Sequence, residues 1–112
     1  MMYDIELVVD EKKKKFERNY PPTLANITDA MKIQRIEIEM INSGKSFYTD
    51  EQLNEREKRI ADFAVRFWKN QFSAEDVLNG ADLKAVNVIN KAVEDALGVE
   101  RTEESDEKKP KK

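Results

Sequence analysis

The segment Ile60–Phe72 constrains the fold of this chain more than any other, because it is apolar on nearly every side of a helix. In its first ten residues only Asp62, Arg66 and Lys69 are polar, and these three fall on one narrow helical face. A helix of this kind either forms the centre of a hydrophobic core or presents a second apolar face to a partner. The other segments must therefore be arranged around it.

The rest of the chain is rich in charge. Of its 112 residues, 38% are Asp, Glu, Lys or Arg, and the formal net charge is −3. The length supports one small domain, and the near balance of the two signs does not favour a nucleic-acid-binding surface. The charges are concentrated around Lys12–Lys15, in Glu51–Arg59 and in residues 100–112. This uneven distribution indicates a soluble protein that carries an apolar surface.

The chain contains no Cys and no His, which excludes much of enzyme chemistry. Disulfides, thiolate metal sites and a cysteine nucleophile are ruled out, and so is the commonest general base. The three glycines lie too far apart for a phosphate-binding or dinucleotide-binding loop. We therefore predict a protein that is not an enzyme, with no catalytic, cofactor-binding or metal-binding residues. The absence of Cys, of a signal peptide and of a long apolar run predicts a cytoplasmic protein.

The N-terminal residues predict a β-hairpin. From Tyr3 to Val9 apolar and acidic residues alternate with a period of two, as in a strand with one buried face. Asp10 and Glu11 form a turn, and Lys12–Phe16 returns as a second strand. Its four lysines protect an exposed sheet edge, and Phe16 is its apolar anchor.

Two prolines at positions 21 and 22 end the hairpin region, and Thr23 or Asn26 then caps a long helix. The alternation in Ile36–Met40 leaves a strand open as an alternative, but the helical spacing from Leu24 onward favours a helix. This helix has two apolar stripes, and the pattern leaves open which of them faces the core. One stripe comprises Leu24, Ile27, Met31, Ile38 and Ile41, and the other comprises Ile33, Ile36 and Met40.

Capping residues bound three more helices. The spacing of Thr49 and Gln52, like that of Ser73 and Asp76, is typical of capping boxes. We predict helices from Thr49 to about Asn70, over Ala74–Asn79 before Gly80, and from Asp82 to Gly98. The predicted fold is therefore α+β and mostly α-helical, with an N-terminal β-hairpin followed by about four helices in residues 1–98. Residues 99–112 form a disordered charged tail, since none of residues 100–112 is hydrophobic.

The aromatic residues are the best candidates for a partner-binding site. Aromatic side chains at helical spacing usually pack in a core. However, Phe63 and Phe67 project to one side while Trp68 and Phe72 follow another, and a domain of this size has little material to cover both. We therefore predict a partner-binding surface formed by Phe63, Phe67, Trp68 and Phe72, with Ile33, Ile36 and Met40 as a second set.

Three stretches together resemble a known family. They are the hairpin leading through Phe16 to Pro21, the helix around Ala30–Gln34 and, most specifically, the segment Phe63–Asp82 with its run N-Q-F-S-A-E-D-V-L-N-G-A-D. This combination resembles the tail assembly chaperones of long-tailed, siphovirus-type phages and prophages of Gram-positive bacteria, the counterparts of the lambda G protein. The resemblance covers nearly all of Tyr3 to Gly98.

The resemblance implies a non-enzymatic chaperone that binds and solubilises the tape measure protein in the bacterial cytoplasm during tail morphogenesis. It also implies a longer, frameshifted form that recruits the tail tube protein, and the second apolar stripe allows a homo-oligomer. We expect no nucleic-acid and no membrane partner. Two alternatives stay open at this point: a prophage-encoded nucleic-acid-associated regulator that uses Lys12–Lys15 and the C-terminal lysines, and a structural head–tail connector component of the virion.

Overall fold

The computed structural model of the chain describes residues 3–44 and 47–99. It confirms the predicted α+β class, with an N-terminal antiparallel hairpin followed by four helices in the described part of the chain. From residue 100 onward, the predicted disordered tail lies outside the described residues. In chain order the elements are β1 Tyr3–Val9, β2 Lys12–Arg18, α1 Leu24–Asn42, α2 Asp50–Phe67, α3 Ala74–Gly80 and α4 Leu83–Leu97.

The hairpin closes through a two-residue turn. Val9 pairs with Lys12, and between them Asp10 and Glu11 have φ angles of 55° and 66°. Positive φ at both central residues gives a turn whose twist matches that of the strands, although Asn and Gly adopt it at lower cost. The inner face of β1 packs on the core, as its alternation predicts: Tyr3, Ile5 and Leu7 are buried and Val9 is partly buried.

The predicted helix starts are confirmed by their hydrogen bonds. The Thr49 hydroxyl accepts a bond from the backbone N–H of Gln52 at 3.1 Å, and the Gln52 side chain accepts one from the Thr49 N–H at 2.9 Å. Ser73 and Asp76 exchange the same pair of bonds at the start of α3. These reciprocal bonds satisfy amide groups that have no partner within the helix.

The end of α2 differs from the prediction. The helix stops at Phe67 rather than near Asn70, because Lys69 and Asn70 adopt left-handed φ angles of 59° and 62°. The Asn70 N–H bonds back to the Val65 carbonyl at 2.8 Å, which closes the helix end. This reversal lets Phe72 return to the hairpin, where its ring centre lies 4.9 Å from that of Phe16.

Gly80 ends α3, as predicted, and it also has a packing role that the sequence did not indicate. It is the last residue of the helix and is buried against β1. A Cβ atom at this position would lie 2.3 Å from the carbonyl oxygen of Val8. Only a residue without a side chain lets α3 approach the backbone of β1 so closely.

Candidate partner-binding surface

The aromatic side chains of the predicted partner site form the centre of the core. Phe63, Phe67 and Trp68 are fully buried, and Phe72 is only 7% exposed. The rings of Phe63 and Phe67 stack with centres 5.3 Å apart, and Trp68 meets Phe67 edge-on at 4.8 Å. In this fold the aromatic set is therefore interior and does not form an exposed face, and its part in binding a partner stays a prediction.

Both sides of α2 are covered because different elements pack against them. On one side, the Tyr3 ring of β1 meets Phe67 edge-on at 4.9 Å, and the Trp68 indole N–H donates to the Tyr3 carbonyl at 3.3 Å. On another side, α1 lies along α2. Small residues make this close packing feasible, since α2 contributes Ala61 and Ala64 to the interior. A domain of this size thus has enough material to cover both faces.

The second predicted set, on α1, is also mostly buried. Ile33 and Met40 are buried, and Ile36 is half-buried. This stripe lies on the inner side of α1, which packs against α2 and α4, so it too contributes mainly to packing rather than to a free surface. Of the seven predicted side chains, Ile36 is the one that keeps substantial contact with solvent.

A bidentate ion pair fixes the orientation of α1. The Arg66 guanidinium on α2 donates to both carboxylate oxygens of Asp29 on α1, at 2.8 and 2.9 Å. Hydrogen bonding to Asp29 raises the pKa of Arg66 above its ordinary value. Because Asp29 lies on the same face of α1 as Ile33, this pair and the buried stripe together direct the opposite face outward.

Arg18 is a structural residue that the sequence interpretation did not single out. Its Nη1 donates to the Phe67 carbonyl at 2.6 Å, its Nε donates to the Tyr20 carbonyl at 3.0 Å, and its Nη2 donates to the Pro21 carbonyl. The guanidinium lies 4.0 Å from the ring centres of both Tyr20 and Phe67. Burial lowers the pKa of Arg18. The period-two alternation from Phe16 was the available signal, because it places Arg18 on the buried face of β2.

The outward face of α1 carries exposed apolar side chains that we call the outer stripe: Leu24, Ile27, Met31, Ile38 and Ile41. Leu24 is 78% exposed, Met31 55%, Ile38 50% and Ile41 70%, whereas Ile27 is half-buried. Single exposed apolar residues are ordinary, but a row along one helix is a recognised mark of an interaction surface. The structure thus resolves which of the two α1 stripes packs inside and which is free.

A second apolar region lies between α2, α3 and α4. It is an open cleft of about 360 Å³ whose floor includes Ile60, Val77 and Ile89. Leu53 and Leu78 stand at its edge and are both about half exposed. The cleft is bordered by the charged side chains of Arg56 and Glu57.

Charged side chains border the outer stripe on one flank. Lys32, Arg35 and Glu39 are exposed there, and none of them forms an ion pair within residues 3–44 and 47–99. In contrast, Glu37 is held by Arg56 at 2.8 Å. The flank therefore offers two cations and one anion whose charges are available to a partner.

The described residues hold no group of acidic side chains suited to bind a metal ion. No helix in the described part of the chain is both long and apolar enough to cross a membrane. The lysine strand β2 is exposed, and Lys15 lies between Asp4 at 3.5 Å and Glu17 at 3.8 Å.

Comparison with known proteins gives one finding. A family model described as phage tail chaperone protein matches residues 1–112. No curated protein and no solved structure gives a significant match.

Proposed function

Because the chain belongs to the phage tail chaperone family, we propose that it binds the tape measure protein and keeps it soluble while the phage tail is assembled. Family membership supports the role of a tail assembly chaperone. The specific client is our proposal, and it follows the resemblance described above. In this role the protein works in the cytoplasm of the bacterial host and acts by binding alone, without catalysis.

The observation that carries this proposal is the outer stripe of α1. The core of the domain is complete without it, since the buried set already includes residues from β1 and all four helices. Covering the exposed half of a Leu, Ile or Met side chain is worth roughly 1 kcal/mol, from about 1.5–3 kcal/mol for complete burial. Several such contacts in a row give binding that holds an apolar client and still releases it.

The charge distribution suits the same task. A chaperone bound to an apolar client must keep the complex soluble, and charged residues on the faces away from the stripe do this. The first half of α2, Glu51–Arg59, is mostly charged, and none of its residues is buried. The protein therefore combines an apolar binding face with a strongly hydrated surface elsewhere.

Co-expression with the tape measure protein encoded in the same phage genome tests the proposal. The double variant Met31→Asp/Ile38→Asp places two charges in the outer stripe without touching a buried residue. We expect it to fold normally and to leave most of the tape measure protein insoluble. Leu83→Asp is the matched control, because Leu83 is 76% exposed but lies on α4.

Two results would contradict the proposal in different ways. If the unmodified protein does not raise the soluble fraction of the tape measure protein, the client is wrong. If it does so and the stripe variant works equally well, the client is right and the surface is wrong. Circular dichroism of each variant checks that the fold is retained.

A further inference from the structure

We infer that the outer stripe of α1 binds one helix of the partner side by side in coiled-coil register, and that this helix carries acidic residues along one flank. The inference rests on the proposed function for the identity of the partner. It adds the conformation, the register and the charge of the segment that is bound.

The spacing of the stripe carries the first step. With Gln34 as the one polar position between Met31 and Ile38, its positions are three and four residues apart over almost the whole of α1, which is the spacing of a coiled-coil seam. The seam positions are Leu24, Ile27, Met31, Gln34, Ile38 and Ile41.

The exposure of the seam residues shows that the described elements of the domain leave the seam largely uncovered. Leu24, Met31 and Ile38 are seven residues apart, and each is at least half exposed. The 19 residues of α1 span about 28 Å at 1.5 Å per residue, so a partner helix of about three heptads covers the seam. Residues 100–112 contain no hydrophobic residue, so this tail has nothing with which to cover the seam.

The charged flank determines which sign of charge the partner helix should carry. Lys32 and Arg35 stand beside Met31 and Ile38 and line the same surface groove. With Glu39 the flank carries a net charge of about +1, and neither cation is engaged by an ion pair in the described residues. Arg35 takes the position directly beside the seam whose charge selects coiled-coil partners, and Lys32 lies further out on the same side, so a helix with Glu or Asp on the facing flank is favoured.

The same two cations argue against a second copy as the occupant. Lys32 and Arg35 lie near the midpoint of α1, on one flank. If two copies packed their α1 helices antiparallel, like flanks would meet, and two flanks that each carry a net charge of about +1 would lie close together near the centre of the contact. Repulsion of this kind disfavours antiparallel self-pairing and favours an acidic partner.

Synthetic peptides test the inference directly. The probes are helices of about three heptads with Leu at the seam positions and either Glu or Lys on both flanks, each fluorescently labelled for anisotropy titration. We expect the unmodified chaperone to bind the Glu peptide about tenfold more tightly than the Lys peptide at low salt, with the preference shrinking as salt is added. A Glu peptide with one central Pro should bind much more weakly, because Pro breaks the helix.

Charge reversal provides the matched comparison. The variant Lys32→Glu/Arg35→Glu should invert the preference so that the Lys peptide binds more tightly. The control Lys13→Glu/Lys84→Glu changes the net charge equally at exposed sites on β2 and α4, and it should keep the original preference. Ile38→Asp should abolish binding of both peptides.

The outcomes separate this inference from the proposed function. If the flank reversal leaves the preference unchanged, or the Pro peptide binds as well as the helix, the inference is wrong even if the tape measure protein is solubilised. If sedimentation shows a dimer that Ile38→Asp dissociates, the occupant is a second copy and the inference is also wrong. If the acidic helix is selected but the tape measure protein stays insoluble, the helix site stands and the proposed function fails.

Discussion

Replacing Gly80 by Ala tests the packing of α3 on β1, because helix propensity and packing predict opposite changes in the free energy of unfolding. Within a helix, Ala is favoured over Gly by about 0.8–1.0 kcal/mol, so local sequence considerations predict that Gly80→Ala stabilises the protein. In the structure the new Cβ atom would lie 2.3 Å from the Val8 carbonyl oxygen, well inside van der Waals contact. That oxygen belongs to the backbone, so a rotamer change does not relieve the clash.

The expected net effect follows from the two contributions. Overpacking of a tight interface costs about 1–3 kcal/mol, and α3 must move away from β1 to accept the methyl group. Subtracting the helix-propensity gain of about 1 kcal/mol leaves a destabilisation of up to about 2 kcal/mol. For a domain of this size, 1 kcal/mol corresponds to roughly 4–8 °C in Tm, so we expect a fall of several degrees.

Urea denaturation followed by tryptophan fluorescence measures this effect. Trp68 is the sole tryptophan and is fully buried, so its emission reports exposure of the core. Asn79→Ala is the control, because Asn79 is the exposed neighbour in the same helix and its replacement should change stability by less than about 0.5 kcal/mol. A Gly80→Ala protein that is more stable than the unmodified one, by about the helix-propensity gain of 1 kcal/mol, would refute the close approach of α3 to β1.

Three further substitutions test other parts of the fold by the same denaturation assay. Phe67→Ala should cost about 3–5 kcal/mol, because it opens a cavity among the core aromatic rings; a loss below 1 kcal/mol would place Phe67 outside the core. Arg18→Met should lower the free energy of unfolding by about 1–3 kcal/mol, because it leaves the buried Phe67 carbonyl without its donor. Arg18→Lys should be destabilised as well, since one ammonium does not reproduce the three guanidinium contacts. Glu11→Gly should raise the free energy of unfolding by about 0.5–1 kcal/mol, because glycine adopts the positive φ of the hairpin turn without strain. Unchanged stability would contradict that turn geometry.

The sequence predicted the candidate surface only in part. The two stripes of α1 are both visible in the sequence, but their hydrophobicity is similar, and a periodic pattern carries no information on which stripe meets another element. The burial of the aromatic residues was also left open by the sequence, for a related reason. A helix that is apolar all round is compatible with a partner or with a complete core, and the amount of covering material depends on how the other elements pack.

Local interactions let the sequence determine the elements of this protein. The alternation in β1, the capping boxes at Thr49 and Ser73 and the left-handed Gly98 depend on residues only a few positions apart, so the sequence pattern specifies them. The roles of Arg18 and Gly80 were decided by tertiary structure, because each contacts an element distant in the chain. The outward direction of the stripe that we propose as the binding surface was decided in the same way, by the packing of α1 on α2.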